Sequence, residues 1–213
     1  MDAVRVALLR EVLAGTEWPG AARRFAGTLR RSVVPSGGGL LLVGTEEYEP
    51  WHLAAHLTDE AAWSGLPELV PTLVRHRVPP GGPSHLSVGL GRLEASRRGE
   101  TLLVVAPERP PAGLLERVHG ARRAGATVLS LDGGDAELSA LAHEALSVPA
   151  GADPALDPAR ALDLDTVQHL VSAAAGENTV PARRGPRRTG ADPARAKGGD
   201  RGRDRLARLA GRW

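Results

Sequence analysis

The sequence predicts an α/β protein with a doubly wound, mostly parallel sheet of about five strands flanked by helices. Three consecutive segments carry this prediction. Residues 102–106 are a short, wholly apolar run, which is typical of a strand buried on both faces. Residues 113–124 repeat apolar side chains at helical spacing, and Gly125 is placed to end that helix. Because a second apolar run follows at 127–131, the segments form a βαβ unit with a right-handed crossover, which requires a parallel sheet.

The chain before this unit begins with helical patterns. Residues 2–15 have helical spacing, and a second helix is predicted to start near Trp18, where Pro19 suits a first helical turn. We interpret residues 1–35 as a helical lead-in rather than a separate domain. The apolar run Leu40–Val43 predicts the first strand.

A second strand, loop and helix module follows that first strand. Pro50 marks a helix start, and the helix is expected to end near Gly65. Four prolines interrupt residues 66–82, which favours a short helix followed by an irregular or edge strand. Ser84 is expected to cap a helix that ends before Gly99.

The chain after the βαβ unit predicts two more helices and a short strand. Asp135 is placed to cap the first helix, and a brief strand is expected at 147–149. After a linker at 151–160, Asp163 or Asp165 caps the last helix. The predicted inner face of the Asp135-capped helix consists of Leu138, Leu141 and Leu146.

A basic tail follows the predicted domain. We assign residues 1–177 to one α/β domain and 178–213 to a mostly disordered tail, with a short amphipathic helix at 203–213. The last 33 residues hold eleven basic and three acidic side chains, so they carry +8 while the whole chain carries only +2. An anionic partner, such as nucleic acid or an acidic protein, is therefore a candidate for the segment between Arg183 and Trp213. A solvated tail without a partner is the plainer alternative.

Composition excludes several classes of protein. The chain has no cysteine, which excludes disulfides, thiolate metal sites and cysteine nucleophiles. It contains 26 arginines and one lysine, Lys197, and abundant Ala, Gly and Pro, as is typical of a high-GC genome like those of actinobacteria. No run approaches the ~20 apolar residues that a membrane span needs, and no signal peptide is evident. We therefore expect a cytoplasmic protein without a transmembrane segment or a cofactor.

The order of these elements resembles the sugar isomerase (SIS) domain over roughly residues 1–177. The stretches 99–105 and 121–131 are similar to the family's sequence of acidic turn, strand, helix, small-residue turn and strand. Residues 132–148 look like its next turn, helix and short strand. The resemblance implies a five-stranded parallel sheet, a phosphosugar or another small polar ligand, and a homodimer. Members of this family act as isomerases, as phosphosugar hydrolases or as sensors in regulators.

The loops that hold the phosphate in SIS domains differ here. The family carries a small Ser/Gly loop after its first strand and a serine-rich loop after its second, and their hydroxyls and N–H groups bind the phosphate. Here residues 44–50 and 106–111 supply carboxylates and prolines instead. Proline has no backbone N–H to donate, and glutamate repels a phosphate dianion, so these loops do not match the family's phosphate-binding loops. The resemblance therefore implies the fold but identifies no catalytic residue. The candidate ligand-binding residues are Thr45, Glu46, Glu47, Tyr48, Trp51, Glu108 and Arg109.

These two loops are expected to lie opposite one another, with residues 132–135 nearby. Ligands of doubly wound sheets bind in the crevice outside the carboxyl ends of the strands. An acidic rim there would prefer a cationic or hydroxyl-rich ligand or a basic partner segment. In the plainer interpretation, which we favour, these carboxylates stabilise helix starts. The rim consists of Glu46, Glu47, Glu49 and Glu108.

A histidine pattern follows the first of these loops. His52, His56 and Glu60 lie on one stripe of the predicted helix, and His143 or His169 is a candidate for a further ligand. A partly exposed polar helix face explains this spacing better, so we predict no metal site.

The leading hypothesis is a non-catalytic or weakly ligand-binding, dimeric SIS-like protein. One alternative is an active phosphosugar isomerase in which Thr45 and Arg109 bind phosphate and Glu46 or Glu108 is the general base. Another is a nucleic-acid-associated regulator that binds through its tail. The sequence has no Gly-x-Ser-x-Gly elbow, P-loop or dinucleotide fingerprint, so other common enzyme classes lack support.

Overall fold

The chain is described here by a computed structural model. Several predictions fall outside the described residues: most of the helix at 2–15, the linker at 151–160, and the tail at 178–213 with its helix at 203–213. The division into a domain and a tail therefore stays a prediction. The described residues are 11, 13–78, 80–81, 83, 86–148 and 162–177.

The described part of the chain contains one five-stranded sheet, and every strand pair in it is parallel. The spatial order is β2-β1-β3-β4-β5, so β2 and β5 form the edges. This order confirms the predicted doubly wound α/β class, because β1 and β3 are neighbours and the chain extends the sheet in opposite directions from them. The strands are β1 Leu40–Val43, β2 Pro71–Val74, β3 Thr101–Ala106, β4 Thr127–Asp132 and β5 Glu144–Ser147.

Six α-helices connect and cover these strands within the described residues. They are α1 Trp18–Val33, α2 Trp51–Ser64, α3 Gly91–Glu94, α4 Ala112–Arg123, α5 Ala136–Leu141 and α6 Leu164–Gly176, with a 3₁₀ helix at Pro67–Leu69. Gly65 ends α2 in the left-handed conformation (φ 70°), as its position predicted. Asp135 caps α5 by accepting from the Leu138 N–H, and Asp163 caps α6 by accepting from the Thr166 N–H.

The core lies in two layers, one on each face of the sheet. Along β3, Leu103 and Val105 face one layer while Leu102 and Val104 face the other. Helices α1, α2 and α6 contribute to the first layer, and α3, α4 and α5 contribute to the second. Because both faces are covered, the central strands are apolar without alternation, which explains why they were recognisable as short continuous runs.

Two predicted elements differ from the structure. Ser84, the expected cap, lies outside the described residues, and over residues 86–98 the expected α-helix is reduced to the four residues of α3. Upstream of it, Gly89 forms a parallel bridge with Arg75, and the Arg75 N–H donates to the Val88 carbonyl at 2.8 Å. Pairing with the edge of the sheet therefore replaces the expected helical turns there.

The last strand also differs from its prediction. It spans Glu144–Ser147 rather than 147–149, because Leu129 of β4 pairs with Glu144 and so fixes the start of β5. Leu146 consequently lies in this strand, and α5 has six residues and buries Leu138.

Among the described residues, no helix is both long and apolar enough to cross a bilayer.

Candidate functional site

The candidate site is the crevice outside the carboxyl ends of β1 and β3. These strands are adjacent, and their order reverses at this point, which is where doubly wound sheets bind ligands. Residues 44–50, which we call the first loop, leave β1 here, and residues 107–111, the second loop, leave β3. The structure thus brings the two predicted segments to the same edge of the sheet.

The first loop folds back tightly on itself. A Cβ added to Gly44 would lie 1.9 Å from the Tyr48 carbonyl oxygen and 2.7 Å from Cδ of Pro50. The next residue, Thr45, is 5% exposed, and its Oγ1 accepts a hydrogen bond from the Tyr48 N–H at 3.1 Å. Thr45 therefore closes a turn, and the glycine before it provides the space for that turn.

Tyr48 fastens this loop to α6. Its hydroxyl donates to Oδ1 of Asp165 at 2.7 Å and accepts from Nε2 of Gln168 at 2.7 Å. Burial, reinforced by the Asp165 carboxylate, raises the pKa of Tyr48 to about 12. The phenol is consequently a neutral donor across the physiological range.

Glu49 is held by an arginine that follows β2. Nε and Nη2 of Arg75 donate to the two carboxylate oxygens of Glu49 at 2.6 and 3.1 Å. The two side chains are 17% and 27% exposed, so this is a half-buried, bidentate pair. Trp51 Nε1 also donates to Glu49, and the Arg75 guanidinium carbon lies 5.0 Å from the centroid of the Trp51 ring.

A second arginine neutralises Glu46. Arg77 pairs with its carboxylate in an exposed position, and between the two arginines the His76 ring hydrogen-bonds to the Gly44 carbonyl at 3.0 Å. Glu46 and Glu49 of the considered acidic rim are therefore each paired with an arginine. Neither lies in the first turn of α2, where the plainer interpretation had placed the carboxylates. Sequence reasoning missed these basic residues because they follow an edge strand that is far from the first loop in the chain. The basic triplet directly after the predicted strand was the signal available.

The second loop consists of two exposed charged residues and three prolines. Glu108 and Arg109 are both exposed, while Pro110 between them and α4 is buried. Nη2 of Arg109 lies 3.1 Å from Oε2 of Glu137, and its Nε lies 4.0 Å from Oδ2 of Asp135. These ion pairs place the Arg109 guanidinium at the start of α5. In the isomerase alternative, Arg109 was to bind phosphate together with Thr45.

A buried carboxylate lies beside the second loop, at the end of β4. Asp132 is fully buried and accepts hydrogen bonds from the hydroxyls of Ser130 and Ser147 and from the Gly134 N–H, at 2.8, 2.8 and 2.9 Å. Backbones are so close here that a Cβ on Gly133 would lie 2.1 Å from the Pro107 carbonyl oxygen. The sequence predicted that this turn lies near the crevice. It did not predict that the Asp132 carboxylate accepts three hydrogen bonds from within the protein.

The histidine pattern assembles only in part. His52 and His56 of α2 meet His169 of α6, whereas Nδ1 of His143 accepts from the Val128 N–H at 3.0 Å instead. Across the part of the chain that the structure covers, no group of three or more His, Asp or Glu side chains is arranged to hold a metal ion.

Comparisons with known proteins give likeness at the level of fold. No family model matches the chain, and no curated protein matches it. A solved sugar isomerase domain of an RpiR transcription factor from Sphaerobacter thermophilus is 16% identical, with a TM-score of 0.45 over 71% of this chain and 76% of that one. A Listeria monocytogenes protein, provisionally described as a sugar-phosphate isomerase, is 13% identical with a TM-score of 0.45 over 82% and 87% of the chains.

A third solved structure is a Silicibacter pomeroyi protein provisionally described as a phosphosugar isomerase. It is 17% identical, with a TM-score of 0.48 over 81% of this chain. The chain spans about half of that protein, 48% of its length. Of these three structures, the one from Sphaerobacter thermophilus is described as a sugar isomerase domain.

Proposed function

We propose that the protein is a non-catalytic, cytoplasmic SIS-like domain that acts as a dimeric binding or regulatory module. One observation supports the proposal: polar side chains of the first loop form hydrogen bonds and ion pairs within the protein. Glu49 is paired with Arg75, Tyr48 with Asp165 and Gln168, and the Thr45 hydroxyl accepts from the backbone.

These contacts compete with the chemistry that a phosphosugar isomerase needs. A phosphate dianion requires several N–H or hydroxyl donors, and an isomerase needs a carboxylate within reach of the substrate as general base. In the second loop, prolines at 107, 110 and 111 have no N–H to donate. Glu46, one candidate base, is engaged by Arg77, and Arg109, the candidate phosphate ligand, is paired with Glu137.

A weak, hydroxyl-rich or carbohydrate-derived ligand fits the remaining groups better than a phosphorylated one. Trp51 is 44% exposed and Glu47 and Glu108 are exposed, so the crevice still presents an aromatic surface and two carboxylates. Carboxylates accept hydrogen bonds from hydroxyls but repel phosphate. We infer that any phosphosugar binds weakly and is not turned over.

The test combines binding with turnover on the full chain. Thermal-shift and calorimetric titrations with pentose and hexose phosphates, each beside its unphosphorylated sugar, should show no saturation at micromolar ligand. NMR of the same mixtures should show no aldose–ketose interconversion. A large rise in melting temperature at micromolar sugar phosphate would contradict the weak-binding part of the proposal.

A matched pair of variants addresses the enzymatic alternative. If turnover is found, Glu108→Gln should abolish it when Glu108 is the general base, whereas Glu116→Gln, an exposed site on α4, should leave it unchanged. Turnover with that pattern would replace our proposal with an isomerase. Sedimentation equilibrium tests the proposed dimer independently of any ligand.

A further inference from the structure

Three histidines form a cluster where α2 and α6 pack together. His52 and His56, one turn apart on α2, have ring centroids 5.9 Å apart. The ring of His169 on α6 lies 4.6 Å from that of His56, edge to face, and 6.0 Å from that of His52. No role in the crevice uses these rings.

The cluster is built for neutral rings. Nδ1 of His56 is buried and has no hydrogen-bond partner among the described residues. A neutral imidazole can place its lone pair there, but an imidazolium carries N–H on both nitrogens and would bury an unpaired donor. Burial lowers the pKa of His56, and the charges of His169 and His52 lower it further, while Asp59 opposes them.

The charged groups near the rings come from α2, from α6 and from the elements packed on them. Helix α2 carries Asp59 and Glu60, α6 carries Asp165 beside Asp163, and α1, which packs on α6, carries Arg23 and Arg30. Asp59 is an exposed residue of α2, and Asp163 caps the start of α6, where its pKa is lowered chiefly by the Thr166 hydrogen bond and slightly by His169. The 3₁₀ helix and β2 also pack on α2; the 3₁₀ helix carries Glu68, and Arg75, which follows β2, pairs with Glu49. Protonation of two neighbouring rings would thus place like charges about 5 Å apart.

The same helices hold the first loop. Tyr48 is bonded to Asp165 and Gln168, and Gln168 directly precedes His169. The loop ends two residues after Tyr48, and α2 begins at Trp51, one residue before His52. A shift of α6 against α2 would therefore act on the loop at Tyr48 and at the point where the loop enters α2.

We propose that the His52–His56–His169 cluster is a pH-sensitive contact that fastens α2 to α6 at neutral pH and, when protonated, releases the first loop from α6. The proposal rests on our proposed function only in treating the crevice as the part that is regulated. Since the folded state holds the His56 proton less tightly than the unfolded chain, this contribution to stability is complete above the ordinary histidine pKa of about 6.5 and is lost as pH falls below it.

The first experiment measures the melting temperature of the full chain between pH 8 and pH 5, with His56→Gln, His169→Gln and His119→Gln. His119 is exposed on α4, on the opposite face of the sheet, and serves as the matched control. We expect the wild type and His119→Gln to lose melting temperature in parallel as pH falls, and the two cluster variants to lose distinctly less. Equal pH dependence in all four proteins would overturn the proposal.

A second measurement needs no substitution and remains decisive should a cluster variant fail to fold. Histidine-ring NMR of the wild-type chain should show His56 titrating below the ordinary histidine pKa of about 6.5. Hydrogen exchange, corrected for its intrinsic pH dependence, should show protection of the first loop and of the start of α6 falling together through that titration. A normal His56 titration, or a loop whose protection does not change, would refute the contact. Neither experiment contains a sugar, so failure of the contact and failure of the proposed function are distinguishable.

Discussion

The two loops of the crevice occupy equivalent positions after adjacent strands, yet they are fixed by different means. The first loop is held by side chains: Tyr48 reaches α6 and Glu49 reaches Arg75. The second loop is held by its backbone, because three of its five residues are prolines and Pro110 is buried. Both loops also depend on one close backbone approach, at Gly44 and at Gly133 respectively.

Because of this difference, we expect the two loops to respond differently to pH, to salt and to substitutions. Ion pairs and phenol hydrogen bonds respond to pH, to salt and to single substitutions at a distance in the chain. Proline restricts the unfolded chain as much as the folded one, and it has no charge to screen or titrate. We therefore expect perturbations of the solvent to act on the first loop and to leave the second nearly unchanged.

We expect the largest loss of stability from adding a side chain at the two glycines that lie against a backbone carbonyl, Gly44 and Gly133. Gly44→Ala would place a methyl group against the Tyr48 carbonyl and should cost about 3 kcal/mol in the free energy of unfolding, measured by urea denaturation. Gly133→Ala, against the Pro107 carbonyl, should cost about as much. The control is Gly120→Ala on α4, where a Cβ meets open space and the gain in helix propensity should stabilise by about 0.5–1 kcal/mol. A harmless Gly44→Ala would show that the first loop is not packed as described.

The next effect distinguishes the half-buried ion pair from the exposed one. Glu49→Gln should destabilise by about 1–2 kcal/mol, because it leaves the Arg75 guanidinium half buried without its carboxylate. Glu46→Gln, whose partner Arg77 is 84% exposed, should change stability by no more than about 0.5 kcal/mol. Repeating both measurements in high salt should shrink the small effect more than the large one. Equal costs for the two variants would mean that burial does not set the strength of these pairs.

Tyr48→Phe removes the hydrogen bonds that tie the first loop to α6. We expect a loss of about 1 kcal/mol at neutral pH. Because the folded pKa of Tyr48 is raised to about 12, its stabilising contribution is complete below the unfolded value of about 10 and is lost as pH rises towards 12. Wild-type stability should accordingly fall more steeply than that of Tyr48→Phe over this interval, and parallel curves would argue against a buried phenol.

The smallest effect is expected in the second loop. Pro110→Ala should cost about 0.5 kcal/mol, mainly by giving the unfolded chain more freedom, and this cost should not depend on salt. Measuring its unfolding free energy at two ionic strengths, beside Glu49→Gln, gives a direct comparison of the two loops. A salt-dependent Pro110→Ala would indicate that charges such as Glu108 and Arg109 also hold this loop.

The sheet was predictable from the sequence because its strands are short, apolar and buried on both faces. Strand β4 extends one residue beyond its predicted end, and β3 begins one residue earlier than expected. The secondary structure was predicted wrongly where a segment pairs with a strand that is distant in the chain. Gly89 pairs with Arg75 where a helix was expected, and Glu144 pairs with Leu129 ahead of the predicted start of β5. Local pattern carries no information about such partners.

The candidate site was predictable in position but not in chemistry. Thr45 and Tyr48 could be placed in the first loop because they follow a recognisable strand. Their roles depend on residues that no local pattern connects to them, such as Gln168, which is 120 residues from Tyr48. The same holds for Glu49, whose charge is cancelled by Arg75. Whether these residues bind a ligand stays a prediction.

The border of the sheet at β2 has a consequence for self-association. This strand begins with Pro71, which offers no N–H, and beyond its last residue the backbone of Arg75 is already bonded to Val88. Such a border is a poor template for a strand from another molecule, which protects against aggregation through continued sheets. A second copy of this chain is accordingly not expected to lengthen the sheet at its β2 edge.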